Sequence, residues 1–161
     1  MLNYLYRYAC IIRNIVDGDT IDVDIDLGFD NWILNERVRL SGIDCPEVRT
    51  RDLVEKEFGF LAAARVSELL PIGERFYLVS ERYNRRGSFG RILGNFILDI
   101  DNGQDLRTVL LEERHGVIWN PNDREEMKRL HLINREYLMN SDSVSIEFKT
   151  NIQRLINEQE L

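Results

Sequence analysis

The chain has 161 residues, 43% of them hydrophobic, with 21 Lys and Arg against 28 Asp and Glu and a formal charge of −7. That is about one domain's worth of protein, and two Trp, six Tyr and seven Phe beside three Pro exclude a disordered chain. No apolar run approaches the ~20 residues that cross a bilayer, and Arg7 and Arg13 interrupt the apolar N-terminal patches, so neither a membrane nor a signal peptide is expected.

Residues 4–15 read as a first strand. From Thr20 to Leu27 apolar and acidic residues exchange at every step, the period of a second strand, with Asp22, Asp24 and Asp26 expected on its solvent face. Residues 33–40 form a third, in which Arg37 and Arg39 share a face. The period then changes. Phe58, Leu61, Ala62, Val66 and Leu69 make a helical stripe over about 54–70, ended by Pro71. Strands follow at 75–83 and 89–98, joined by a tight Asn84-Arg85-Arg86-Gly87 connection. After a turn at Asp101-Asn102-Gly103, a helix is expected over 105–115. A capping box of Asn122 and Glu125 opens another that runs to about Tyr137. The tail, 143–161, reads as a helix from the spacing of Phe148, Ile152 and Leu155. Five strands with helices after the third and fifth predict an α+β, mainly β protein: a small barrel with helices packed outside it. The expected organisation is one domain over 1–141 with a helical extension over 142–161.

An acidic total argues at first against a phosphate-rich partner, yet its distribution does not. Eighteen of the 21 cations are Arg, whose planar fork suits carboxylate and phosphate. Arg82, Arg85, Arg86 and Arg91 lie within ten residues free of carboxylates, and residues 99–161 hold 8 cations against 13 anions. The two cysteines, Cys10 and Cys45, imply no disulfide framework and fit a reducing compartment. His115 and His131 each fall in a predicted helix without a partner His at ligand spacing, and read as surface or half-buried helix residues. A calcium loop starting at Asp22 fails, because Leu27 and Ile33 occupy the places of its Gly and Glu. Asp19 sits at a strand entry after Gly18. Asp44 and Glu47 lie on irregular chain where the third strand ends, the kind of position where functional side chains concentrate. Hard divalent ions want carboxylate oxygens and phosphodiesters want guanidinium forks, and the chain supplies both.

Three segments in order, Val16-Asp17-Gly18-Asp19-Thr20, Arg39-Leu40-x-x-Ile43-Asp44-x-Pro46-Glu47 and Phe89-Gly90-Arg91-x-Leu93-Gly94, resemble the staphylococcal (micrococcal) nuclease family over about residues 8–119. The resemblance implies a five-stranded OB-fold barrel with about three helices. It further implies a calcium-dependent phosphodiesterase cutting DNA and RNA with little base preference. On matching positions, Asp19, Asp44 and the Cys45 carbonyl would hold Ca2+, Glu47 would position and deprotonate water, and Arg39 and Arg91 would grip the phosphate. Substrate contacts are expected from Phe89, where the best-known member has Tyr, from Trp119 as a stacking platform, and from Arg85 and Arg86. The compact form resembles intracellular or phage-encoded versions, hence a cytoplasmic location, with the C-terminal segment a possible protein contact. The alternative is a nuclease-fold module that binds nucleic acid or a protein partner without catalysis.

Overall fold

The structure, a computed structural model, describes residues 6–81 and 90–160. Its frame is a barrel of β1 (Arg7–Asp17), β2 (Thr20–Asp26), β3 (Trp32–Leu40), β5 (Arg75–Ser80) and β6 (Ile92–Asp99). These pair antiparallel in the order β3-β2-β1-β5-β6, and a parallel pairing of Val38–Leu40 with Ile92–Gly94 closes the ring. This is the OB-fold expected from the sequence. Closure pairs the end of β3 with the start of β6, and the inward residues Ile12, Ile21, Val23, Val38, Leu78 and Phe96 are all fully buried. Short strands β4 (Ile43–Asp44) and β8 (Val117–Ile118) form a separate ladder, and β7 (Gln104–Asp105) pairs with β6.

Helix α1 (Leu53–Leu69) is opened by Asp52, whose carboxylate accepts the Val54 and Glu55 amides. It ends before Pro71, and its Val66, followed by Leu70, plugs the barrel. Helix α2 (Leu106–Glu112) adds Leu106 and Leu110 to the same core. It is shorter than the periodicity predicts, because Arg114 takes a left-handed φ of 66° and turns the chain, leaving His115 beyond the helix. Helix α3 (Arg124–Met139) is capped by Asp123, which accepts the Glu126 amide at 3.0 Å, so the cap lies one residue after the expected Asn122. Helix α4 (Ile146–Gln159), capped by Ser145, bears out the helical tail. Its Ile152 and Leu155 close a second apolar cluster with Val54, Phe58, Leu138 and Val144. Among the described residues the helices therefore number four.

One expectation is overturned. Asp22 and Asp24 are not on a solvent face; each is only 7% exposed. β2 runs between β1 and β3, and the flanking strands lay arginines across it. Arg37 grips Asp22 with two bonds of 2.8 and 3.0 Å, and Arg13 meets Asp24 at 2.6 Å. The Arg37 bonds hold Asp22 below the usual carboxylate range, and the Asn35 amide, followed by Arg13, does the same for Asp24. Alternation identified the face correctly but not what covers it. The expected connection 84–87 and the residues Arg82, Arg85, Arg86 and Phe89 lie outside the described residues.

Candidate active site

At one end of the barrel, three chain segments converge. The turn between β1 and β2 carries Asp17 and Asp19, the end of β3 carries Arg39, and β4 with the loop after it carries Asp44, Cys45 and Glu47. Close approach is made possible by glycine. A Cβ on Gly18 would stand 2.9 Å from the Cβ atoms of Ala62 and Cys45, and one on Gly59 would stand 2.7 Å from the Glu47 carbonyl oxygen. Gly59 thus lets the Glu47 loop rest directly on α1, inside a helix where glycine otherwise weakens the fold.

Asp19 is 6% exposed. Its Oδ2 accepts the Cys45 amide at 2.7 Å and lies 3.0 Å from Arg39 Nη1, while its Oδ1 accepts the Thr20 hydroxyl at 3.2 Å. Arg39 is anchored from behind, donating to the carbonyls of Leu40 and Ile43 at 3.1 and 3.0 Å, and its Nη2 reaches Asp44 Oδ1 at 3.4 Å. One guanidinium therefore serves two carboxylates. Burial pushes the Asp19 carboxyl up to about 8, against the pull of Arg39 and with a further push from Asp17. Glu47 is also raised, by partial burial first and then by Asp17 and Asp44. The carboxyls of Asp17, Asp19, Asp44 and Glu47 gathered here outnumber the guanidinium groups of Arg39 and Arg91, so this end of the barrel is rich in acid.

The sign of the Asp19 shift sets a pH window. A carboxyl that binds its proton more tightly folded than unfolded contributes stability below about 4, which is lost as pH rises toward 8. Thermal unfolding in EDTA should therefore show the wild type losing stability relative to Asp19→Asn between pH 4 and 8. Parallel melting-temperature curves for the two proteins would refute the assignment.

In front of Arg39 opens a cavity of about 460 Å3, lined among others by Glu47, Glu81, Arg91 and Trp119. Trp119 follows β8, is 42% exposed, and is tied back by its amide to the Gly42 carbonyl at 3.1 Å. Glu81 is held at the rim by Arg107 at 3.0 Å, and the same guanidinium also donates to the Ser41 carbonyl. The structure thus places Asp19, Asp44, Cys45, Arg39, Glu47, Arg91 and Trp119 around one end of the barrel. Phe89, Arg85 and Arg86 fall outside the described residues. The Cys45 thiol is buried, and burial raises its pKa well above the ordinary thiol value, so at this position only its backbone is polar in effect.

Asp19 and Asp44, bridged by Arg39, and Glu47 make a set of hard carboxylate oxygens. Together with the excess of acid it fits a hard divalent cation that completes its six to eight oxygen ligands with water. Among the described residues no group of three or more His, Cys, Asp or Glu forms a metal cage by side chains alone. Water and backbone would have to supply the remainder.

One contact was not legible from the sequence. His131, on α3, has its Nε2 2.8 Å from Asp44 Oδ2. The sequence marks it as a surface or half-buried helix residue, which its place on α3 and its 16% exposure bear out, but not as a partner of Asp44. The available signal was its spacing from Asn134 and Leu138, three and seven positions on, both buried on the inner face of α3.

A family model described as staphylococcal nuclease homologue matches residues 37–136, a span that includes Arg39, Asp44, Glu47, Arg91 and Trp119 and begins after Asp19. Comparison with curated proteins gives no match.

Proposed function

Because the chain belongs to the staphylococcal nuclease homologue family, we propose that it is a calcium-dependent nuclease hydrolysing phosphodiester bonds of DNA, RNA or both with little sequence preference. The observation that carries this reading is the single cavity in which Arg39, Arg91, Glu47 and Trp119 meet, backed by the Asp19 and Asp44 carboxylates.

In this reading Glu47 orients a water for in-line attack on phosphorus and takes up its proton, and the upward shift of its pKa makes it a stronger base. Arg39 and Arg91 donate to the non-bridging phosphate oxygens, where charge builds as phosphorus becomes five-coordinate. The anchoring of Arg39 by the carbonyls of Leu40 and Ile43 fixes its fork before substrate arrives, which lowers the reorganisation cost in the transition state. The indole of Trp119 offers a face on which a base stacks, worth ~1–3 kcal/mol and indifferent to sequence. Calcium, held by Asp19, Asp44 and the Cys45 carbonyl, would supply positive charge that polarises a phosphoryl oxygen. Nucleic acid is the proposed partner. No described helix is long and apolar enough to cross a membrane.

The rival reading, a binding module without catalysis, is separated by a direct assay. Single-stranded DNA is incubated with the protein and calcium, beside an EDTA control and Arg91→Ala. Cleavage by the wild type that both controls suppress is the expected result. Intact DNA across a range of pH and salt would leave only the binding module.

A further inference from the structure

We propose that His131 is a positioning residue that holds the Asp44 carboxylate in its cation-binding orientation. The inference rests on the nuclease reading and on Asp44 as one of its calcium ligands.

An ionised carboxylate only accepts hydrogen bonds, so the 2.8 Å contact requires that His131 Nε2 carry the proton and donate to Asp44 Oδ2. The other oxygen, Oδ1, faces the Arg39 guanidinium and, through it, Asp19. The two oxygens of Asp44 are thereby given separate duties: one is tied back to α3 and the other is presented to the site. Without such a tie, the terminal torsion of an aspartate is broad, and an oxygen that must meet a cation spends much of its time turned elsewhere.

The surroundings make this tie stiff. Asp44 lies on the two-residue strand β4, opposite Val117 of β8. Asn134, one turn after His131 on the same face of α3, donates to the Gly116 carbonyl at 3.0 Å, and Leu138 is buried one turn further. Asn134 ties α3 beside β8 and Leu138 seats it on the cluster formed with α1 and α4, so α3 is docked by contacts other than the His131 bond. That docking sets the imidazole, 16% exposed, behind a carboxylate that is 30% exposed. A bond needed merely to attach the helix would duplicate what Asn134 and Leu138 already do. Groups that orient metal ligands from behind commonly govern affinity by ~10–100-fold.

The test is calcium titration by calorimetry, without substrate, on wild type, His131→Leu, His131→Gln and Asp19→Ala. His131→Leu removes the donor while keeping apolar bulk, and should weaken calcium binding by ~10–100-fold. His131→Gln, whose amide can still donate, should bind within a few-fold of wild type. Calcium-binding by His131→Leu equal to that of wild type, with Asp19→Ala defective, overturns the positioning role and leaves the calcium site standing. If Asp19→Ala binds as wild type does, the calcium site itself is misassigned and the role of His131 falls with it. Should His131→Leu not fold, the wild type still decides. Its His131 ring resonances must shift on calcium addition with the half-saturation found by calorimetry, and unchanged resonances refute the proposal.

Discussion

Glu47→Gln is expected to lower turnover by ~10²-fold or more while leaving substrate affinity within a few-fold. The substitution keeps shape and hydrogen-bonding reach but removes the group that, in the proposed mechanism, accepts a proton from water. Because that transfer occurs on the way to the transition state, the loss belongs in kcat and in kcat/KM together, with KM nearly unchanged. Glu47 is suited to the work by its surroundings: partial burial, then Asp17 and Asp44, lift its carboxyl above its ordinary value, which makes a better base. Its loop rests on α1 at Gly59, so the carboxylate starts from a fixed backbone. Steady-state kinetics on a short oligonucleotide checks this. A change confined to KM, or equal losses of affinity and rate, would assign Glu47 to binding instead.

Arg39→Ala is expected to have two separable consequences. The first is catalytic: removing a fixed donor to the developing phosphate charge typically costs ~10²–10³ in turnover. The second is structural. Arg39, with a side chain only 15% exposed, is the cation between Asp19 and Asp44. Deleting one member of such a buried pair destabilises by roughly 3–5 kcal/mol when the remaining charge is left without compensation. Protonation of Asp19, already favoured by burial, limits that penalty as pH falls. The destabilisation should therefore be larger at pH 8 than at pH 5, and should shrink in the Asp19→Asn background. Urea unfolding of the four proteins of that double-mutant cycle, in EDTA, measures both effects. Additive losses would show that the two side chains do not stabilise one another.

The charge of −7 acquires a physical meaning once the carboxylates are placed. Asp22 and Asp24 are neutralised by Arg37 and Arg13 from the neighbouring strands, and Glu113 by Arg65 at 2.7 Å. Asp19, Asp44 and Glu47 are gathered at one end of the barrel, where the proposed calcium ion would offset part of their charge. A protein so arranged has a weak general field for nucleic acid, and in the proposed nuclease the capture of a phosphate would rest on locally placed arginines rather than on overall charge.

Much of the fold could be read in advance because its signals are local. Alternation marked β2, a helical stripe ended by Pro71 marked α1, and the spacing of Phe148, Ile152 and Leu155 marked α4. The errors were local too. Arg114 turns the chain early by entering a left-handed conformation that ordinary residues seldom adopt, which no periodicity announces. The cap of α3 moved by one residue because Asn122 and Asp123 are both competent caps, and which one serves depends on the angle at which the chain enters.

The candidate site divides in the same way. By itself the sequence determined which residue types stand at the strand ends, in what order, and hence the family resemblance that its carboxylates and arginines carry. Which groups touch was decided only by the tertiary structure. Asp19 meets the Cys45 amide across 26 positions, and His131 meets Asp44 across 87. The burial that lifts Asp19 to about 8 arises from the chain closing around it, not from its neighbours in sequence. The physical reason is one of range. Backbone preference and side-chain period act over a few residues, whereas desolvation and ion pairing depend on distance through space, and barrel closure sets that distance.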